Sequence, residues 1–388
     1  MDSAAPLQAN LRRYRTARGL SQKALADRAG LSRIGYRDIE VGKAVPRLGS
    51  LERIAAALEV SVPELLAPAR QLSRVRFRAQ KRMMLRENLL VDVARWLDDY
   101  QELEELLERR EPWRLADVAK RLRRSRKKGA ALGKYAARLA REGLGLEREV
   151  IRDMCGLLED HGVKLLTAPV ASEGFFGLSV GQEDGGPAVL VNVWERISVE
   201  RWIFTAAHEL GHLLLHPDAY DVSQSDEPEA EEKEADAFAG HFLVPDDLFW
   251  KEWEEARGLG FVDRVFKVKR MFGVSWQTVL FRIAADLPKR ERSKLWQRFS
   301  GSYKRQYGQS LTRRSEPEAL DPIEFGGRPA DRVADEPARF IGDDFQEDRL
   351  SRLVREAVET EAISLGRAAE ILRLDLVEMR ELANSWVG

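Results

Sequence analysis

His208-Glu209-x-x-His212 places two imidazoles and a carboxylate within five residues. On an α-helix, residues four apart share a face and lie roughly 6 Å apart along the axis. Both rings can then turn toward one metal ion, with Glu209 beside them to accept a proton from bound water. The preceding Trp202-Ile203-Phe204-Thr205-Ala206-Ala207 is apolar and predicts a largely buried helix. A pair of satisfied core histidines would also suit such a helix, so a metal site needs a third ligand. Four of the chain's five histidines fall between positions 208 and 241, which favours a site over chance packing.

Residues Glu229–Pro245 supply the candidate. Ala235, Phe238, Ala239, Phe242 and Leu243 recur at helical spacing, and Glu232 and Asp236, four apart, share a face. Hydrolases with two histidines and one glutamate leave a fourth zinc position to water. A carboxylate one turn along fixes the tautomer of a ligating histidine. Glu232 is the expected ligand and Asp236 the supporting carboxylate, with Glu231 and Glu234 as the alternatives if the helix is rotated. His216 lies two turns beyond His208, about 12 Å along the axis, too far for a bond of ~2 Å. Asp218 stands where the longer three-histidine spacing requires histidine. His216, Tyr220 and His241 are unranked candidates for stabilising an oxyanion, and for each the structural reading is favoured. The donor set suits zinc and also admits manganese or another divalent metal.

Length and composition frame this site. A chain of 388 residues, 44% hydrophobic, holds two to three domains. The net charge of −1 conceals basic stretches at 70–142 and 289–314 and acidic ones at 226–234 and 316–348. The single cysteine, Cys155, excludes an internal disulfide framework and lies among apolar neighbours as a buried thiol. With no apolar run of membrane-spanning length and no signal-peptide pattern, a cytoplasmic protein is expected, without a membrane partner.

Residues 8–67 read as a helical bundle. Ser21 caps a helix in which Leu25 and Ala26 face inward, Gly30 turns the chain, and Ser32 caps a second helix, 33–40, closed by Gly42. Two short helices about a glycine turn form the helix-turn-helix pattern. Arg33, Tyr36 and Arg37 are expected on the outer face of the second helix for major-groove contacts, with Gln22 and the Ser32 hydroxyl on phosphates. The segment from Leu20 through Val60, including Ile39-Glu40 and the run to Leu58, closely resembles the lambda-repressor/Cro-like (XRE) family. That resemblance implies a double-stranded DNA operator, palindromic and bound by a homodimer.

Residues 70–145 read as a charged helical connector with a leucine-rich seam from Leu85 to Leu107. The cluster Arg121, Arg123, Arg124, Arg126, Lys127, Lys128 suits either a solvated face or a phosphate backbone. A helix over 146–158 is expected next, then strands at 164–170, 175–180 and 188–193, with turns at Gly174 and 183–186. An edge strand of that sheet would hold an extended peptide beside the metal.

From Phe204 through His216, and from Glu232-x-x-Ala235-x-x-Phe238-Ala239 through Pro245, the chain resembles the ImmA/IrrE family of metallo-endopeptidases. The resemblance covers roughly 146–286. It implies zinc held by His208, His212 and Glu232, with Glu209 as catalytic base. Asp236 stands where many members carry asparagine, and either side chain can bond a ligating histidine. Fusion to an XRE domain is a known architecture of the family, whose stand-alone members cleave repressors.

Residues 287–314 are basic with interleaved Trp296, Phe299, Tyr303 and Tyr307, read as an aromatic stripe packed on the preceding domain. Residues 315–345, rich in proline, glycine and acids, read as a linker. Residues 346–388 read as a helical pair with Ser364 as a cap. The expected fold is mainly α with a small α+β part: an N-terminal bundle, a zincin-like domain (helix, three-stranded antiparallel sheet, H-E-x-x-H helix, ligand helix) and a helical C-terminal region. The expected function is a DNA-binding regulator whose zinc endopeptidase cleaves a repressor, an antitoxin or itself when signalled. The alternative is a DNA-binding regulator whose metal domain is a non-catalytic sensor or interaction module.

Overall fold

The structure is a computed structural model and describes residues 6–58, 60–66, 72, 75–79, 86–217, 228–285, 287–312, 315–317 and 340–386. Most of the expected linker thus lies outside the described residues. The chain divides into two compact units, one drawn from residues 1–72 and 82–102, the other from 73–81 and 103–388.

The first unit is helical: α1 (Pro6–Ala17), α2 (Gln22–Arg28), α3 (Arg33–Glu40), α4 (Leu48–Ala57), α5 (Val62–Leu66) and residues 86–102 of α6 (Arg86–Leu106). Both expected caps form. Ser21 Oγ accepts from Ala24 N at 3.1 Å and Ser32 Oγ from Gly35 N at 3.0 Å, each satisfying an amide the helix leaves open. Gly30 takes the left-handed turn at φ +62° between α2 and α3. Leu11, Leu25, Ala26, Tyr36, Ile54, Leu58 and Leu65 fill the core.

The second unit is built on four strands, β1 (Val75–Ala79), β2 (Lys164–Ala168), β3 (Phe175–Val180) and β4 (Ala188–Asn192), in the order β1-β3-β4-β2. β3 runs antiparallel to both β1 and β4, while β2 runs parallel to β4. The expected three-stranded antiparallel sheet is therefore corrected in two respects. A fourth strand arrives from the expected connector, and β4 lies between β2 and β3. Asn192 holds that crossover in place. Its Nδ2 donates to Val170 O and Phe175 O, both at 2.9 Å, and its Oδ1 accepts from Val170 N at 2.9 Å. β4 is buried throughout, which accounts for its unbroken Ala-Val-Leu-Val run.

Around the sheet lie α7 (Ala116–Arg123), α8 (Ala130–Gly143), α9 (Met154–Glu159), α10 (Val199–Leu215), α11 (Glu229–Leu243), α12 (Asp246–Glu255), α13 (Phe261–Phe272), α14 (Trp276–Ala285) and α15 (Lys289–Tyr307). The helix expected over 146–158 is shorter: only Met154–Glu159 is helical, because Glu147 takes a positive φ of 35° inside the expected span and Asp153 provides a fresh cap for Gly156 N. Cys155 is buried, as expected, and burial pushes its thiol pKa up. The aromatic stripe of α15 packs inward, with Phe299 stacked on Trp276 at 5.1 Å.

Small residues let α10 lie close to its neighbours. A Cβ at Gly177 of β3 would stand 2.6 Å from Thr205 Cγ2, and one at Gly211 would stand 2.8 Å from Phe238 of α11. Gly133 of α8 likewise abuts the α11 backbone at Glu234 O and Phe238 N. The chain closes with α16 (Arg349–Glu359), α17 (Leu365–Leu372) and α18 (Leu376–Ser385), three helices where a pair was expected. Ser364 caps α17 and Asp375 forms a reciprocal capping box with Glu378 on α18. Arg349 of α16 anchors this region on Glu104 at 2.9 Å.

Candidate functional site

α10 and α11 pack against each other with their chemical residues facing inward. His208, Glu209 and His212 are fully buried. Nε2 of His208 and Nε2 of His212 stand 2.8 Å apart. Glu232 brings one carboxylate oxygen to 3.0 Å from His212 Nε2 and the other to 3.5 Å from His208 Nε2. Three donors each about 2 Å from a common tetrahedral centre would stand about 3.3 Å apart, which the observed separations bracket. Two Nε2 atoms this close cannot both carry protons, so at least one lone pair points into the cluster. The donor set fits a divalent metal, and these three residues form the group among the described residues that could hold one.

The outer ring nitrogens explain how the rings are held. His208 Nδ1 lies 2.9 Å from Asp236 Oδ1, where the ring N–H donates. His212 Nδ1 lies 3.0 Å from His216 Nδ1, and His216 Nε2 lies 3.0 Å from Glu234 Oε2. A carboxylate only accepts, so His216 donates to Glu234 through Nε2 and accepts from His212 through Nδ1. His212 is thereby fixed with its proton on Nδ1 and its Nε2 lone pair inward. Glu234 is pinned in turn by Gly129 N, which donates to its Oε1 at 2.6 Å. Burial, then the neighbouring His208, pushes the His212 pKa well below the ordinary imidazole value. Burial alone would raise the Glu232 carboxyl, but bonding to His208 and His212 outweighs it and holds the pKa far below the usual range.

Glu209 projects toward the sheet rather than into the ligand cluster. Its Oε2 accepts from Ser179 Oγ at 2.8 Å, and Ser179 is itself fully buried on β3. Glu231 and Glu234, the alternative ligands, are engaged elsewhere: Glu231 with Arg76 of β1 and Glu234 with His216. Arg76 also reaches Glu232 Oε1 at 3.3 Å. His216 has both ring nitrogens committed, and so has His241, whose Nδ1 lies 3.1 Å from Asp246 and whose Nε2 lies 3.2 Å from the Arg282 guanidinium, so neither is presented to a substrate oxygen. Tyr220 lies outside the described residues. Sequence reasoning missed Ser179, Arg76 and the His216–Glu234 relay. The signal for the relay was present, since His216 follows His212 by four and Glu234 sits on the ligand helix.

In the first unit, Arg33 and Arg37 are exposed on α3 as expected. Tyr36 is corrected: it is fully buried and its hydroxyl donates to Glu40 Oε2 at 2.6 Å. The cause is helical phase, since Tyr36 falls on the face shared with Ile39 and Glu40. Glu40 also receives Arg15 Nε at 2.6 Å and Gln22 Nε2 at 2.8 Å. Gln22 is therefore half-buried with its amide nitrogen donated inward, and Ser32 is exposed beside its cap bond. Ile34, 67% exposed beside Arg33, was not singled out by sequence.

Comparisons with known proteins agree with this division. The family model for the IrrE N-terminal-like domain matches residues 158–284, and the helix-turn-helix model matches residues 11–65. The chain is thus similar to a helix-turn-helix domain near its start and to the IrrE N-terminal-like domain further on. It is similar to the SPbeta prophage-derived uncharacterized HTH-type transcriptional regulator YonR of Bacillus subtilis (strain 168), 43% identical over 56 residues. That match covers 14% of this chain and 52% of the relative, so the chain spans about half the length of the curated protein it matches. A solved structure, Bacillus thuringiensis PlcR in complex with the peptide PapR7 and DNA, aligns over 99% of this chain and 100% of that one. Its identity of 12% and TM-score of 0.17 carry no argument about fold or function. Among the described residues no helix is long and apolar enough to cross a membrane.

Proposed function

We propose that the protein is a cytoplasmic DNA-binding transcription regulator whose second unit is a zinc-dependent endopeptidase, acting on a repressor, an antitoxin or its own chain. The observation that carries this reading is the convergence of His208, His212 and Glu232 with Glu209 held beside them by Ser179. A structural metal site has no use for a buried carboxylate at that position. Zinc bound there supplies a Lewis acid that polarises a carbonyl and acidifies water; manganese or another divalent ion suits the same donors. Glu209 takes a proton at its carboxylate from an entering water and returns it to the leaving amine. Ser179 fixes the direction of that carboxylate, while Asp236 and the His216–Glu234 relay fix the two imidazoles.

The first unit reads DNA through α3 as a homodimer on a palindromic operator. Arg33 and Arg37 serve as base-reading side chains, Ile34 suits a thymine methyl, and the exposed Ser32 suits a phosphate contact, whereas Gln22 donates its amide to Glu40. Similarity of this segment to YonR, an HTH-type transcriptional regulator, supports this use of the domain.

The test is metal content together with cleavage. Wild type should purify with about one zinc per chain, and Glu232→Ala should lose it. Glu209→Gln should keep zinc and lose hydrolysis of the partner protein. Equal regulation by Glu209→Gln and wild type would leave the metal domain as a sensor or interaction module and defeat the endopeptidase reading.

A further inference from the structure

The geometry points to the side of β3, residues 175–180, that pairs with β1 as a binding site for extended peptides carrying a basic residue opposite Ser179, with the chain's own strand β1 as its resident occupant. The inference rests on the endopeptidase reading above for its use in catalysis, but the binding site itself stands on separate observations.

Without β1, β3 would be the sheet's edge, with a row of backbone groups ready to pair with another strand. β1 fills that place antiparallel to β3, with Val75 opposite Val180, Arg76 opposite Ser179 and Phe77 opposite Leu178. Ser179 is the residue whose hydroxyl holds Glu209. The strand thus passes directly beside the general base, where a peptide awaiting hydrolysis would lie.

Arg76 gives the occupant its specificity. Its side chain is only 2% exposed and reaches Glu231 and Glu232 on the ligand helix. Burying a guanidinium is costly unless carboxylates meet it, so these two acids form a subsite for a basic side chain. Glu231 keeps that subsite acidic when Glu232 is committed to a metal.

The occupant is also connected in a particular way. Residues 73–81 belong to the second unit, yet the stretches before and after them in sequence, 1–72 and 82–102, belong to the first. An incoming peptide must displace a strand tied at both ends to the helix-turn-helix unit.

The experiment uses the zinc-loaded full chain and a fluorescein-labelled peptide of residues 73–81, followed by fluorescence polarisation. Of two neighbouring strand residues one must donate its N–H to β3, so Phe77→Pro and Arg78→Pro are both made. At least one folded variant should bind the peptide tenfold or more tightly than wild type, and a peptide with glutamate in place of Arg76 should bind neither protein. Should both proline variants lose their circular dichroism, Arg76→Ala, which leaves the backbone able to pair, is read in the same assay with the same expectation. Folded variants that bind no better than wild type overturn the inference, as does equal binding of the glutamate peptide. A peptide that binds the opened variants without being cut, alongside inactivity on every protein substrate, keeps the site and removes the endopeptidase reading. Cleavage of a protein substrate by wild type at the rate of the opened variants does the reverse.

Discussion

Replacing His216 by phenylalanine isolates the contribution of a residue that touches no metal. The imidazole side chain is buried, accepts from His212 at Nδ1 and donates to Glu234 at Nε2, with both contacts at 3.0 Å. Phenylalanine keeps the volume and removes both bonds. His212 is then left with a buried Nδ1–H and nothing to fix its tautomer, a cost of about 1–3 kcal/mol for an unsatisfied buried donor. At about 1.4 kcal/mol per decade, zinc affinity should fall by roughly tenfold to a hundredfold. Competition with a coloured chelator on the purified full chain measures it. Asp236→Ala offers an internal comparison, because the Asp236 side chain is 50% exposed and water can replace its bond to His208. Its loss should be the smaller of the two. If His216→Phe binds zinc as wild type does while remaining folded, the relay has no part in holding the metal.

Glu209→Gln should retain zinc and lower peptide hydrolysis by roughly a hundredfold or more, the usual contribution of a positioned base, read by loss of substrate on a gel. Arg33→Ala and Arg37→Ala should each reduce the preference for operator over random DNA by about 1–3 kcal/mol in a competition assay. Unchanged preference in both would misplace the reading helix. Gly177→Ala should lower the melting temperature, because the added methyl meets Thr205 and the Leu190 carbonyl, with overpacking costing about 1–3 kcal/mol. Burial raises the Glu159 pKa to about 7 against donors from Asp348 N and Arg349 N. The folded state therefore holds that proton after the unfolded chain has released it. Stability from this group should fall as pH rises from about 4.5 to 7 and then level off, by roughly 3 kcal/mol at most. Thermal melts of wild type against Glu159→Gln across that range test the sign.

Much of the metal site was legible because its spacing is local. His208, His212, Glu232 and Asp236 each follow from a four-residue helical repeat, and the structure brings these four side chains together. Ser179 and Arg76 were not legible, since their roles depend on strands that meet a helix far away in sequence. β1 was hidden by composition: Val75, Phe77 and Ala79 alternate with arginines, a period of two, but the surrounding charge made the stretch read as helical connector. Tyr36 failed for the opposite reason. A tyrosine between two arginines reads as exposed, and only the packing of Glu40 against Arg15 and Gln22 reveals which face turns inward. Strand positions survived in the sheet, whereas the parallel pairing of β2 with β4 depended on Asn192 and the loop it organises.

The contact between Gly133 and the backbone of α11 defines what can be excised. The family match begins at residue 158, yet α8, at 130–143, seals one side of the ligand helix, and Gly129 steadies Glu234 behind His216. A fragment cut at the start of the match would strip that cover and expose apolar surface of α11, including the neighbourhood of Phe238. It should express as an aggregation-prone, weakly zinc-binding piece. A fragment meant to be studied alone should therefore begin at or ahead of residue 73, so that β1 and α8 are both kept and the compact unit, rather than the recognisable sequence, sets its boundary.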